Sequence, residues 1–152
     1  YRFKCRHSTF ITSFKLFQFP RGNIMKKADS ISTTQAPKAI GPYSQGIAAG
    51  QFLFVSGQLP INPDKGKMVD GDIAARAEQV FDNISAIVRS AGGSMADVVK
   101  VTLFLTDMAD FQQVNEVYSR HFQTPYPARS AVQVSALPLG SNIEAEAIIY
   151  IP

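Results

Sequence analysis

Residues 72–105 read DIAARAEQVFDNISAIVRSAGGSMADVVKVTLFL, and the change of period inside this stretch decides the fold class. From Asp72 to Ala91 the apolar residues Ile73, Ala77, Val80, Phe81, Ile84, Ile87 and Val88 recur at three- and four-residue intervals. Arg76, Asp82 and Arg89 are left outward, so the stretch predicts an amphipathic helix. Gly92-Gly93 then supplies the left-handed C-terminal cap on which helices commonly end. Beyond it Val99, Val101, Leu103 and Leu105 alternate with Lys100, Thr102 and Phe104, the two-residue period of a strand.

Working outward, the run from Gln51 to Leu59 is β-branched and aromatic, follows Gly50 and stops at Pro60, as a strand entering a loop does. The turn residues Asn62 to Gly66 reverse the chain before the helix. On the other side, Asp107 to Asp110 closes the central strand and opens a second helix from about Phe111 to Phe122. Its apolar stripe is Phe111, Val114, Val117, Tyr118 and Phe122, and Pro125 and Pro127 end it. Strands from Ser130 to Ala136 and from Ile143 to Ile151, joined by the loop from Leu137 to Asn142, are expected to form an antiparallel pair.

The order strand, strand, helix, strand, helix, strand, strand predicts an α+β sandwich, a mixed sheet with two helices on one face. In the last strand Ile143, Ala145, Ala147, Ile149 and Ile151 share one side while Glu144, Glu146, Ile148 and Tyr150 share the other. Both sides are partly apolar, and two helices cover only one of them, so self-association is expected.

At 152 residues and 45% hydrophobic composition the chain is long enough for one cored domain and short of two. Charged or small polar residues interrupt every apolar run before the roughly twenty residues that a membrane-spanning helix requires, so a soluble protein is expected. Cys5 is the only cysteine and His7 and His121 the only histidines, which leaves no disulfide and no metal-ligand cluster to propose. The net charge of +3 is uneven: residues 1–24 carry Arg2, Lys4, Arg6, Lys15 and Arg21 and no acid, whereas from Met25 onward 12 acids outnumber 10 bases. Binding to a nucleic-acid backbone needs a clustered basic face, which that later region does not offer. The first 24 residues have the composition of a transit peptide, yet Met25-Lys26-Lys27 reads as a natural start, so they are expected to be a leader, a transit peptide or vector-derived sequence. The domain is then residues 25–152, cytoplasmic, or organellar if the leader is a genuine transit peptide.

Few residues invite chemistry. Arg129, behind Tyr126-Pro127-Ala128, is expected at the first position of a strand on a proline-stiffened approach, where its planar donor fork would suit a carboxylate or phosphate. By position alone it reads first as a surface arginine in a salt bridge. Glu144 follows the loop from Leu137 to Asn142; if its strand pairs with that of Arg129, the two charges stand close, and the carboxylate could orient water or relay a proton. Glu144 and Glu146 read equally as an exposed polar face. Tyr43, within Gly41-Pro42-Tyr43-Ser44-Gln45-Gly46, could present its phenol above a pocket or simply pack. Ser56-Gly57-Gln58 offers a hydroxyl and an approachable backbone N–H for an oxyanion or carboxylate. His121 reads as a helix-end residue rather than a base.

Taken in order, Gly41-Pro42-Tyr43-Ser44-Gln45-Gly46, Ser56-Gly57-Gln58-Leu59-Pro60, Val114-Asn115-Glu116-Val117-Tyr118, Pro127-Ala128-Arg129-Ser130 and Ile143-Glu144-Ala145-Glu146-Ala147 resemble the RidA (YjgF-type) family over about residues 27–152. The resemblance implies a chorismate-mutase-like fold and a homotrimer with three active sites between adjacent subunits. It also implies cofactor-free hydrolysis of 2-imino acids, such as 2-iminobutanoate and 2-iminopropanoate, to 2-keto acids and ammonia. Arg129 would grip the substrate carboxylate, Glu144 would organise the attacking water, and Tyr43, Ser56, Gly57 and Asn115 match pocket positions. Ala131 stands where the family often has cysteine, so a thiol cannot be essential here, although a backbone carbonyl at that place is kept. Gln133 likewise replaces a frequent glutamate. Relatives described as ribonuclease-type translation inhibitors or chaperone-like proteins imply the alternative, an RNA-binding or chaperone-like role.

Overall fold

The computed structural model describes residues 28–152; the expectations for residues 1–24, with Cys5 and His7, lie outside the described residues. Within them run β1 (Asp29–Ile31), β2 (Gly46–Ala49), β3 (Phe52–Gln58), β4 (Ile61–Asn62), β5 (Lys67–Met68), α1 (Ile73–Ser90), β6 (Val98–Leu105), α2 (Phe111–His121), β7 (Ala128–Gln133) and β8 (Ile143–Tyr150). Strands β4 and β5 form a separate small hairpin, and the other six form one mixed sheet in the order β1-β2-β3-β8-β6-β7. The α+β architecture with two helices is the one expected. The reversal expected at Asn62 to Gly66 joins β4 to β5, with the Gly66 N–H on the Asn62 carbonyl at 2.9 Å, whereas β1 and β2 carry no sequence signal, because runs of three and four residues are too short to show a period.

Helix α1 begins where the Asp72 carboxylate accepts the N–H of Ala75 at 2.9 Å, satisfying one of the donors that a helix start leaves open. It ends with Gly92 at φ +86°. There the N–H of Gly93 reaches the Val88 carbonyl and that of Gly92 the Arg89 carbonyl, the paired closure that a left-handed glycine permits. The helix buries Ile73, Ala77, Val80, Phe81, Ile84 and Ile87, and α2 buries Val114, Val117 and Tyr118; with Leu53, Val101, Leu103, Leu105, Ile143 and Ile149 of the sheet they make one core. Asp82 and Arg89 face outward as expected, but Arg76 does not: it is half-buried and donates from Nη1 to Asn142 Oδ1 at 2.9 Å.

Two expectations for the strands are corrected. Val99 does not share the inner face with Val101, because the register between β6 and β8 shifts between Val98 and Lys100; the bulge turns Val98 inward and leaves Val99 exposed. Nor do the last two strands pair. β7 lies parallel to β6, and β8 lies antiparallel between β6 and β3. The reason is the helix between β6 and β7: a strand that returns through a crossover helix lies parallel beside its predecessor, which uses one edge of β6 and sends β8 to the other. β8 suits that inner place, since its alternate residues Ile143, Ala145, Ala147 and Ile149 are buried, whereas edge strand β7 is mostly exposed.

Candidate functional site

The parallel pairing sets where Arg129 points. It is the second residue of β7 rather than the first, opposite Val101, whose side chain is buried beneath the helices. Arg129 therefore stands on the helix side of the sheet, along the face of α2 that carries Phe111, Asn115 and Tyr118. Its guanidinium carbon lies 4.6 Å from the ring centre of Tyr118 and 5.2 Å from that of Phe111, and Nη1 donates to Asn115 Oδ1 at 2.8 Å. Two aromatic faces and an amide fix the fork while the side chain stays exposed. Burial pushes the Tyr118 phenol up to about 12 against the opposing charge of Arg129, so the phenol stays neutral; its hydroxyl is buried and has no hydrogen-bond partner among the described residues. Asn115, Tyr118, Tyr126 and Arg129 line a cleft of about 260 Å³. Ala131, two residues along β7, is half-buried against the core on the same side.

Glu144 stands on the other side. It lies opposite Phe104 in β8 and alternates with buried Ile143 and Ala145, so it emerges on the sheet face that the helices leave open. The expected Arg129–Glu144 pair is therefore absent from a single chain, because β6 separates their strands and the two side chains leave the sheet in opposite directions. Glu144 instead reaches over Gly57. A Cβ at residue 57 would sit 1.8 Å from Oε1 of Glu144, so only glycine allows this approach. Ser56 and Gly57 form a bulge in β3, two residues facing the single residue between Ala145 and Ala147. Burial and then the neighbouring charge of Glu146 push the Glu144 carboxyl above its ordinary 4.5.

Tyr43 belongs to this second cluster. The Ser56 hydroxyl donates to the Ser44 carbonyl at 2.7 Å, and the Ser56 N–H donates to the Gln45 carbonyl at 3.0 Å, fastening the Tyr43 loop to β3. Gln45, only 4% exposed, holds the loop from within: Oε1 accepts the Thr33 N–H at 2.7 Å, and Nε2 donates to the carbonyls of Ala36 and Pro37 at 3.2 and 2.7 Å. Tyr43, Ser56, Gly57, Pro138, Leu139 and Glu144 line a cleft of about 420 Å³. Loop residue 142, tied to Arg76, sets the start of β8 and with it the position of Glu144.

Each sequence-predicted residue thus falls into one of two groups, Arg129, Asn115 and Ala131 on the helix side or Tyr43, Ser56, Gly57 and Glu144 on the open side. Sequence reading missed Tyr118 and Phe111 as the platform for Arg129, having seen in them only an apolar stripe, and gave Gln45 no separate task. The loop around Gln45 reads as a turn, and no signal in its sequence marks the amide as buried. His121 is a helix-end residue as expected: it meets Glu78, which Arg120 also binds, and its ring lies 5.2 Å from that of Phe81. Burial alone would raise Glu78, but hydrogen bonds from Arg120 and His121 outweigh it and hold the carboxyl below its usual range. Among the described residues no three His, Cys, Asp or Glu are grouped to hold a metal ion, and no helix is long and apolar enough to cross a membrane.

Comparison with known proteins matches residues 33–151 to the family model described as Endoribonuclease L-PSP. A RutC family protein of Pyrococcus horikoshii is 55% identical, over 79% of this chain and 95% of its own length. The 2-iminobutanoate/2-iminopropanoate deaminase of Bos taurus is 48% identical, over 78% of this chain and 86% of its own. Among solved structures, RidA from an Antarctic Psychrobacter superposes with a TM-score of 0.79 at 49% identity, covering 81% of this chain and 99% of that one.

Proposed function

Because the chain belongs to the Endoribonuclease L-PSP (RidA/YjgF) family, we propose that it hydrolyses 2-imino acids to 2-keto acids and ammonia in a homotrimer whose sites lie between subunits. One observation carries this reading: a fixed cation suited to a carboxylate and an acid whose carboxyl is raised by burial beside an open cleft occupy opposite faces of one sheet. They can meet on a small substrate only when a second copy turns its Arg129 edge toward the Glu144 cleft. The open face offers the contact, since Phe52, Phe54, Val132 and Tyr150 are each about two-fifths exposed there.

In the assembled site Arg129, with one N–H given to Asn115, keeps donors for both oxygens of the substrate carboxylate. The imine carbon is already electrophilic, so positioning and proton transfer supply most of the catalysis. Water adds its oxygen to that carbon as a proton passes to the imine nitrogen. A second proton transfer, from the new hydroxyl to nitrogen, lets the C–N bond break, leaving a C=O group and ammonia. Glu144, raised by burial, suits the relay because it holds a proton more readily than an exposed carboxylate does. Tyr43 closes the cleft beside it, Ser56 and Gly57 form its floor, and the backbone of Ala131 takes the place at which a side-chain thiol is dispensable.

The test couples a threonine or serine dehydratase to the purified protein and follows 2-ketobutyrate or pyruvate. Faster release is expected, and unchanged release would defeat the proposal. The family description supports a second reading, cleavage of RNA. Against it, His121 is engaged by Glu78 and Phe81, and residues from Met25 onward carry more acids than bases. Cleavage of single-stranded RNA by nuclease-free preparations, lost in Arg129→Ala, would reverse the ranking.

A further inference from the structure

Ile40 and Leu139 are the two most exposed large hydrophobic side chains among the described residues, at 74% and 61%. They come from loops about a hundred residues apart in sequence, yet both line the Glu144 cleft, and both also line an adjoining cleft of about 440 Å³ walled by Ala36, Pro37, Ile61 and Pro63. Leu139 is held there by its backbone: at φ +55° it is the one described non-glycine residue in the left-handed region, inside the turn Pro138–Gly140. That conformation favours glycine or asparagine, so a leucine there is a strained choice that needs a reason.

From this arrangement, and resting on the imine-hydrolase reading above, we propose that Ile40 and Leu139 form the subsite for the substrate's side chain and favour 2-imino acids with long or branched apolar side chains. A group attached to the imine carbon must lie within a bond or two of the atoms that Glu144 serves, and the wall it meets there is Ile40, Leu59, Pro138 and Leu139. At about 30 Å³ for each water-sized group, the seven heavy atoms of 2-iminobutanoate fill about 200 Å³, roughly half of this cleft. Of the two hydroxyls that line the cleft, those of Tyr43 and Ser56, the Ser56 proton is already given to the Ser44 carbonyl, so Ser56 has no donor left for a polar side chain. An isobutyl group would cover Ile40 and Leu139 and continue toward the second cleft.

The experiment compares kcat/KM for 2-iminobutanoate with that for the imino acid that an amino-acid oxidase forms from leucine, scoring decay against semicarbazide trapping, with oligomer mass recorded for each protein. The wild-type chain is expected to favour the leucine-derived substrate. Leu139→Asn, which suits the left-handed backbone, and Ile40→Ser should each lower the ratio of the leucine-derived to the short substrate about tenfold, the scale on which apolar pockets discriminate. If both variants remain active and the ratio moves by less than about twofold, the subsite assignment is overturned. A change in oligomer mass in both variants overturns it as well, by assigning the pair to a subunit contact. Failure of the wild-type chain to hydrolyse either imino acid instead sinks the imine-hydrolase reading on which the subsite rests.

Discussion

At Glu144, activity and stability are expected to separate. Burial and Glu146 raise its carboxyl above 4.5, so its ionised form is penalised in the folded chain. For a group raised in this way, the stability it contributes is fully present below the unfolded value and is lost as pH rises through the folded one. Glu144→Gln removes the penalty: at neutral pH the variant should melt no lower than wild type, and the difference should vanish as pH falls below 4.5. If Glu144 is the proton relay proposed above, its loss should meanwhile cut kcat about 100-fold or more. A variant that melts lower at neutral pH and keeps its turnover would refute both halves. Arg129→Ala should raise KM roughly 10- to 100-fold, the equivalent of a charge-assisted fork worth about 1.5–3 kcal/mol. Arg129→Lys should recover only part of this, because an ammonium cannot form the fork and stacks less well over Tyr118 and Phe111. Near-normal KM in Arg129→Ala at unchanged oligomer mass would remove it from the carboxylate site.

Among the elements, the Tyr43 loop depends most on a single side chain. Gln45→Ala leaves the Thr33 N–H and the Ala36 and Pro37 carbonyls without their partner, at a cost of about 2–3 kcal/mol in a buried setting. Denaturant unfolding should show this as a lower midpoint, and a loss below about 0.5 kcal/mol would mean that the loop holds itself. The loop sequence is rich in glycine and proline and reads as a turn, but the inward direction of Gln45 is invisible in it, because a glutamine's burial depends on carbonyls that only the folded chain brings within reach. The same holds for the bulges at Val99 and at Ser56-Gly57. An extra residue leaves the local period nearly intact while rotating one side chain out of register.

For the whole molecule, a site shared between subunits makes a prediction that a single-chain site does not. Arg129→Ala and Glu144→Gln each disable one half. If the proposed homotrimer forms, the two variants unfolded together and reassembled in equal amounts give mixed trimers with one junction intact in both halves, and at substrate levels too low for Arg129→Ala to turn over, about a quarter of wild-type activity should return. No recovery, in a preparation whose mass shows mixed trimers, would place both groups of one site in the same chain.

How much of this the sequence contained follows from the range of each interaction. The two helices, most of their buried faces, the glycine cap of the first, the central strands and the residue types able to bind a carboxylate or move a proton were legible, because each depends on neighbours within a few positions, where the 3.6- and two-residue periods act. Strand order was not. The loop from Leu137 to Asn142 invited an antiparallel pair, and only the crossover through α2 placed β6 between β7 and β8. With that order came the separation of Arg129 from Glu144 and the aromatic platform beneath Arg129, and only the folded chain brings Ile40 and Leu139 to the lining of one cleft. These are contacts between residues far apart in the chain, which no local period records and which exist only once the sheet has chosen its neighbours.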